Sequence, residues 1–177
     1  MHPPSAVGTL AGFGMDQVVR LGGVMSDAAY VAEEPSLPLS LTVGAELVRD
    51  AIGDAVPRTA MSIGADGGRD VFDEGATRVG LVVMGDGSAR RTTAAPGYLV
   101  ERAITFDDEI AQALRIGDAA ALRDIDLALA DDLLAAGAPA WCAAGSALQG
   151  ARLDAELLAY DAPFGVAYFA ALWLVGG

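Results

Sequence analysis

The chain has 177 residues and a formal net charge of −13, because 11 basic residues stand against 24 acidic ones. A negative charge of this size repels phosphate backbones and anionic lipid headgroups, so we expect no nucleic acid and no membrane surface as a partner. All 11 basic residues are arginine, which excludes lysine-dependent chemistry such as Schiff-base formation. Hydrophobic residues make up 53% of the chain, enough for one domain spanning residues 1–177.

Cysteine content and the two termini indicate the cellular compartment. Cys142 has no partner for an intramolecular disulfide, so we expect a reducing cytoplasm. Its apolar context, AWCAAG, predicts a small core residue, with a reactive thiol as the alternative. The first residues lack the basic segment and the long apolar core that are typical of a signal peptide. The apolar stretch APFGVAYFAALWLVGG is shorter than the roughly 20 residues of a membrane span. We therefore expect that stretch to form buried strand.

The first half of the chain contains one clear helix signal. Residues 37–53 place apolar side chains at helical spacing and end at Gly53, which suits a helix C-terminus. The apolar piece at 17–21 predicts a strand, and residues 33–36, with two acids and a proline, predict a loop.

Residues 59–84 predict two strands and a loop. Residues 59–64 resemble a short strand, and the continuous apolar run at 79–84 is typical of a strand covered on both faces. The acidic, glycine-rich segment 64–70 between them lacks the spacing of a calcium loop, so we interpret it as solvated.

Three helices are predicted next. The first begins with Thr105 as N-cap and Asp108 as capping-box acid and runs to Gly117. Asp118 caps the second, which continues to Gly137, and a third runs from 139 to about 150. Acids on the second helix could form a catalytic pair, but their spacing favours a solvated face; they are Asp124, Asp131 and Asp132.

Two strands close the chain, at 155–160 and 165–174. Strands and helices thus mix along its whole length. This order predicts a single α/β domain with a central mixed or parallel sheet flanked by helices.

The segment GDGSARR follows the apolar run at 79–84, where ligands commonly bind in α/β proteins. Gly85 and Gly87 allow the backbone to approach a ligand closely. Asp86 and Ser88 are candidate catalytic residues. Asp86 could act as a base or acceptor, and Ser88 could donate a hydrogen bond. Arg90 and Arg91 are candidate ligand-binding residues for a carboxylate; the alternative is a surface turn whose arginines pair with acids.

Histidine content limits the metal chemistry. A two-histidine, one-carboxylate iron site requires two imidazoles, and the chain contains only His2. A Ser-His-Asp arrangement would likewise have to use His2. A hydrolase or transferase that uses Asp86 or Asp161 with Ser88 stays open, although no spacing requires it.

Three stretches carry a resemblance: GLVVMGDGSARRTTAAPGY, then FDDEIAQALRIGDAAALRDIDLALADDLLAAGAPAWCAAGSAL, and LLAYDAPFGVAYFAALW. They resemble the class III extradiol ring-cleavage dioxygenases, the LigB-type catalytic subunits, in particular an actinobacterial dioxygenase-like branch. The resemblance implies an α/β fold with a central sheet, ferrous iron as cofactor and an oxidoreductase activity that opens catechol-type rings with dioxygen.

This chain departs from that family at the residues that perform the chemistry. The family's Gly-Asp-x-Ser-His segment matches Gly85 to Ser88, but Ala89 occupies the place of the acid/base histidine. The histidine-bearing metal segment expected near the family's amino terminus is also missing, although His2-Pro3-Pro4 is similar to its beginning. The resemblance therefore implies no iron on this chain and no metal-binding residues.

Together these observations predict a pseudoenzyme that is retained as a small-ligand-binding or assembly module, with a small anionic or aromatic ligand. The alternative is an active dioxygenase that is completed by an absent amino-terminal segment or by a partner subunit. We also expect a homo-oligomer, because aromatic strand residues at 166–169 are typical of subunit contacts as well as of a core.

Overall fold

A computed structural model of the chain describes residues 1–22, 36–54, 56–67 and 79–176. These residues form five α-helices and two sheets, which confirms an α/β protein. Each sheet has two antiparallel strands, so the described residues do not contain the expected central sheet. The chain divides into two units, Met1–Ser62 and Ile63–Gly177. Most of the loop predicted at 33–36 and part of that at 64–70 lie outside the described residues.

The first unit combines a small hairpin with one long helix. Strand β1 (Val7–Thr9) pairs with β2 (Val18–Arg20), and helix α1 spans Leu39–Ile52. Both β2 and α1 confirm the elements predicted there. The helix ends where the sequence indicates, since the Gly53 amide donates to the Arg49 carbonyl at 2.8 Å. Buried apolar residues from these elements and from the segments beside them form the core of this unit: Ala6, Leu10, Val19, Leu21, Leu37, Ala45 and Ala60.

The second unit contains the other four helices: α2 (Arg102–Ile116), α3 (Ala119–Arg123), α4 (Leu127–Asp132) and α5 (Ala138–Ala147). Within the ranges that the structure describes, no helix is long and apolar enough to cross a membrane. Their buried side chains form a second core: Ala103, Phe106, Ile110, Ala113, Leu122, Ala130, Leu133, Ala135, Ala138 and Trp141.

Two helix predictions in this unit were wrong in detail. Helix α2 begins before Thr105, and its N-cap residue Glu101 makes no side-chain capping bond. The long helix predicted after Asp118 is two helices, because Asp126 caps a new one by accepting from the amides of Ala128 and Leu129, each at 3.0 Å. A second capping acid inside a periodic stretch therefore restarted the helix.

The end of the chain forms an antiparallel hairpin of β3 (Leu153–Asp161) and β4 (Tyr168–Val175), which confirms both predicted strands. The expectation that this end is buried was wrong. Phe169 and Trp173 pack against the core, whereas Leu172 and Leu174 are about half exposed. Strand side chains alternate between faces, and helix α2 covers one of them.

The strand predicted at 79–84 is absent from the structure. Its four large aliphatic residues, Val79, Leu81, Val82 and Val83, are exposed, and residues 79–84 make no backbone hydrogen bond to another described segment. The strand predicted at 59–64 is reduced to an isolated bridge between Ala60 and His2. Hydrophobicity identified segments suited to a sheet, but a strand also requires a neighbour to pair with.

Candidate functional site

Backbone hydrogen bonds hold the segment 85–91 against the residues that precede β4. The Gly87 amide donates to the Ala167 carbonyl at 2.8 Å, and the Ala167 amide donates to the Ser88 carbonyl at 2.9 Å. The Arg91 amide donates to the Gly165 carbonyl at 3.2 Å. A Cβ on Gly87 would lie 2.7 Å from the Ala167 Cβ, so only glycine permits this approach.

The other side of the segment contacts the loop before α5. The Gly137 amide donates to the Asp86 carbonyl at 2.9 Å, and the Ala89 amide donates to the Leu133 carbonyl at 3.1 Å. A Cβ on Gly85 would overlap the Gly137 Cα. The segment therefore lies between two parts of the second unit and is fixed by both.

A buried serine–aspartate pair lies at the centre of the site. Asp107, on α2, accepts from the Ser88 amide at 2.9 Å and from the Ser88 hydroxyl at 2.5 Å, and both residues are fully buried. Burial raises the pKa of the Asp107 carboxyl, while the bonds from Ser88 and the charge of Arg91 oppose that rise. The Ser88 side chain is thus held by Asp107 inside the protein.

Arg91 and Tyr160 extend this pair toward the surface. The Arg91 guanidinium lies 3.4 Å from the Asp107 carboxylate, donates to the Tyr160 hydroxyl and lies 5.2 Å from the centre of its ring. The Tyr160 hydroxyl donates to Asp108 at 2.6 Å. Burial, followed by this bond to Asp108, raises the pKa of Tyr160 to about 12. Burial lowers the pKa of Arg91, but its contacts with Tyr160 and Asp107 outweigh that effect and raise it.

The two remaining candidate side chains lie outside this network. Asp86 is exposed, and partial burial of its carboxyl raises its pKa. The Nε atom of Arg90 is buried and has no hydrogen-bond partner among the described residues. The structure therefore joins Ser88 and Arg91 through Asp107, and leaves Asp86 and Arg90 beside them without such a link.

Sequence reasoning missed Asp107, the residue that connects the site. A signal was present, because Asp107 lies on the same helical face as Ala103, Ile110 and Ala111, which are buried. An acid on the apolar face of a helix requires a buried partner. Tyr160 was not predicted as a site residue, since nothing near it in the sequence indicates Arg91 as its neighbour.

The described residues do not fit a two-histidine iron site. The ring of His2 is partly buried in the first unit, and its Nε2 atom lies 2.8 Å from the Ser62 hydroxyl. Across residues 1–22, 36–54, 56–67 and 79–176, no three His, Cys, Asp or Glu side chains form a group that could hold a metal ion.

Comparison of the chain with protein-family models, with curated proteins and with solved structures finds no match.

Proposed function

We propose that this chain is a divergent class III extradiol dioxygenase-like protein of the LigB type that serves as a small-ligand-binding module. The ligand is a small anionic or aromatic compound bound beside the segment 85–91. The rigid backbone of this segment supports the proposal, because hydrogen bonds from two sides hold it before any ligand arrives. A ligand bound there meets a surface that needs no further ordering.

The observation that carries the proposal is the Arg90 guanidinium, which is half-buried and makes no ion pair with an acid among the described residues. A carboxylate ligand would supply a charge-assisted hydrogen bond to this guanidinium. Arg91 has a different role, since Asp107 and Tyr160 already hold its guanidinium. In this proposal Arg90 contacts the ligand, and Arg91 with Ser88 and Asp107 forms the frame beneath it.

The proposal excludes unaided ring cleavage. In the family that the chain resembles, ferrous iron supplies the activation of dioxygen. This chain offers one imidazole, on His2, and has Ala89 where the acid/base histidine would stand. Loss of general acid or base catalysis alone lowers a rate by about 10²–10⁴-fold. Asp86 is the predicted catalytic residue that lies at the surface, and here we assign it no catalytic step, because a carboxylate would repel an anionic ligand.

Titration with benzoate, an aromatic carboxylate, tests the binding role. We expect saturable binding to the full chain and at least about a tenfold loss of affinity in Arg90→Gln, since a charge-assisted bond contributes about 1.5–3 kcal/mol. Arg102→Gln is the matched control, because Arg102 is exposed on α2 and should bind as the wild type does. Equal affinity in both variants would contradict the proposal.

Metal binding and oxygen uptake test the excluded activity. The full chain is titrated with Fe(II) and Zn(II) at neutral pH and then supplied with catechol in air. We expect no stoichiometric tight metal binding and no oxygen uptake. Uptake by the chain alone would overturn the proposal, and uptake that requires a second subunit would replace it with the alternative of a partner-completed dioxygenase.

A further inference from the structure

A cleft between α2, α3 and α4 lies outside the segment 85–91. Its volume is about 290 Å³, close to the lower end of about 300–1,000 Å³ that is typical of small-molecule sites. This size suits a single ring or a short chain rather than a large cofactor. The residues that line it are Phe106, Glu109, Ile110, Ala113, Ala121, Asp124, Ile125, Asp126 and Leu129.

The floor of the cleft is apolar. Phe106, Ile110 and Ala113 project from α2 and are buried, and Ile125 and Leu129 add partly buried aliphatic surface from the opposite side. Contact with these side chains removes the apolar part of a ligand from water, which is favourable in proportion to the area buried.

The exposed lining residues give the cleft a negative mouth. Glu109, Asp124 and Asp126 are exposed and line the same cavity. Arg123 binds both oxygens of Asp124, at 2.7 and 2.6 Å, and so balances that charge. Asp126 uses one oxygen to cap α4, and Glu109 makes no hydrogen bond or ion pair to another described residue. Glu109 and Asp126 therefore leave negative charge at the mouth that no described cation balances.

We propose that this cleft binds a small organic amine. Its apolar body lies on Phe106 and Ile110, and its ammonium group faces the carboxylates of Glu109 and Asp126. An anionic ligand is disfavoured at this site by the same carboxylates, which would repel it. A neutral apolar ligand contacts the apolar floor of the cleft but leaves the carboxylates of Glu109 and Asp126 without a counter-charge. This inference concerns a site separate from the one in the proposed function and does not depend on it.

Three probes that share a phenyl group test the charge preference: 2-phenylethylamine, 2-phenylethanol and 3-phenylpropionate. Chemical-shift titration of the full chain at pH 7 measures their affinities. We expect the amine to bind at least about threefold more tightly than the alcohol, and the anion to bind most weakly. The charge contribution is modest because exposed ion pairs contribute about 0–1 kcal/mol. Equal binding of all three probes, or no saturable binding of the amine, would overturn the proposal.

Two variants locate the binding. Glu109→Gln should weaken amine binding about threefold to fivefold and leave binding of the alcohol unchanged. Ala121→Leu places a larger side chain at the exposed edge of the cleft and should weaken the binding of both the amine and the alcohol more than tenfold. Glu156→Gln is the matched control, because it makes the same change at an exposed position on β3 outside the cleft. If Glu109→Gln behaves like Glu156→Gln, or Ala121→Leu binds as the wild type does, the amine is not bound here.

Discussion

Asp107 has the most demanding environment of any residue in the site. It is fully buried, and its carboxyl accepts from the amide and the hydroxyl of Ser88 while it faces Arg91. These contacts favour the ionised form, yet the effect of burial is larger and raises its pKa. Asp107 therefore holds the site together as an acceptor, at the cost of keeping a carboxyl group away from water.

Replacement of Asp107 by alanine should destabilise the protein. The Ser88 amide and hydroxyl would lose their acceptor, and a buried unsatisfied donor costs about 1–3 kcal/mol. Urea unfolding of Asp107→Ala should show a free energy of unfolding that is lower than that of the wild type by at least this amount. Asp108 is an exposed neighbour that, among the described residues, accepts a hydrogen bond from Tyr160 alone, so Asp108→Ala should lower the unfolding free energy by less than about 1 kcal/mol. Equal losses in the two variants would mean that burial of Asp107 contributes nothing.

The raised pKa of Asp107 also predicts how stability depends on pH. The folded chain holds this proton more tightly than the unfolded chain, whose value is near 3.8. The stabilisation that comes from the raised pKa of Asp107 is therefore complete below pH 3.8. It is lost as the pH rises through the higher pKa of the folded state.

Asp107→Asn isolates this effect, because asparagine keeps an acceptor for the Ser88 amide but does not ionise. The unfolding free energy of the wild type, minus that of the variant, should fall as the pH rises above 3.8. Urea unfolding at a series of pH values measures the difference. An increase with pH would show that Ser88 and Arg91 outweigh burial instead.

At the scale of elements, the segment 85–91 is closely fitted between two parts of the second unit. Hydrogen bonds join it to the residues before β4 and to the loop before α5. The preceding residues, 79–84, differ sharply, since their aliphatic side chains are exposed and their backbone pairs with no described segment. An unpaired apolar stretch is therefore followed directly by a fixed polar segment.

Two glycines in this region should respond oppositely to replacement by alanine. Gly85→Ala places a Cβ against the Gly137 backbone and should cost at least about 1–3 kcal/mol, as overpacking does. A Cβ at Gly80 meets no atom of the described residues within 4 Å, so Gly80→Ala should leave stability unchanged or raise it slightly. Thermal unfolding of both variants measures the contrast. A similar effect at the two positions would refute the close packing of residue 85.

At the scale of the whole molecule, charge is the dominant feature. With 24 acids and 11 arginines, like-charged groups repel one another throughout the chain. Four ion pairs occur among the described residues, and they use only a few of the acids. Self-repulsion of this kind opposes the compact state.

Salt should therefore stabilise the protein. An increase of ionic strength from about 0.01 to 0.15 M shortens the screening length from about 30 to 8 Å and weakens repulsion between exposed acids. The Tm at pH 7 should rise with NaCl, most steeply at the lowest concentrations. The same concentration range of sucrose, which carries no charge, is the control. A Tm that is flat or falls with NaCl would show that the surface pairs matter more than the net charge.

The sequence by itself determined the features that depend on neighbours along the chain. The end of α1 at Gly53, the end of α2 before Gly117 and the two strands of the final hairpin were all predicted, because caps and short-range periodicity are local. The acidic charge and the presence of a single histidine are likewise read directly from the sequence.

Only the tertiary structure decided which residues meet. Asp107 binds a serine 19 positions away, and Arg91 contacts a tyrosine 69 positions away. The exposure of residues 79–84 was also invisible in their apolar sequence. Hydrophobicity and propensity state what a segment could bury, whereas burial, pairing and pKa depend on groups that the rest of the chain brings close.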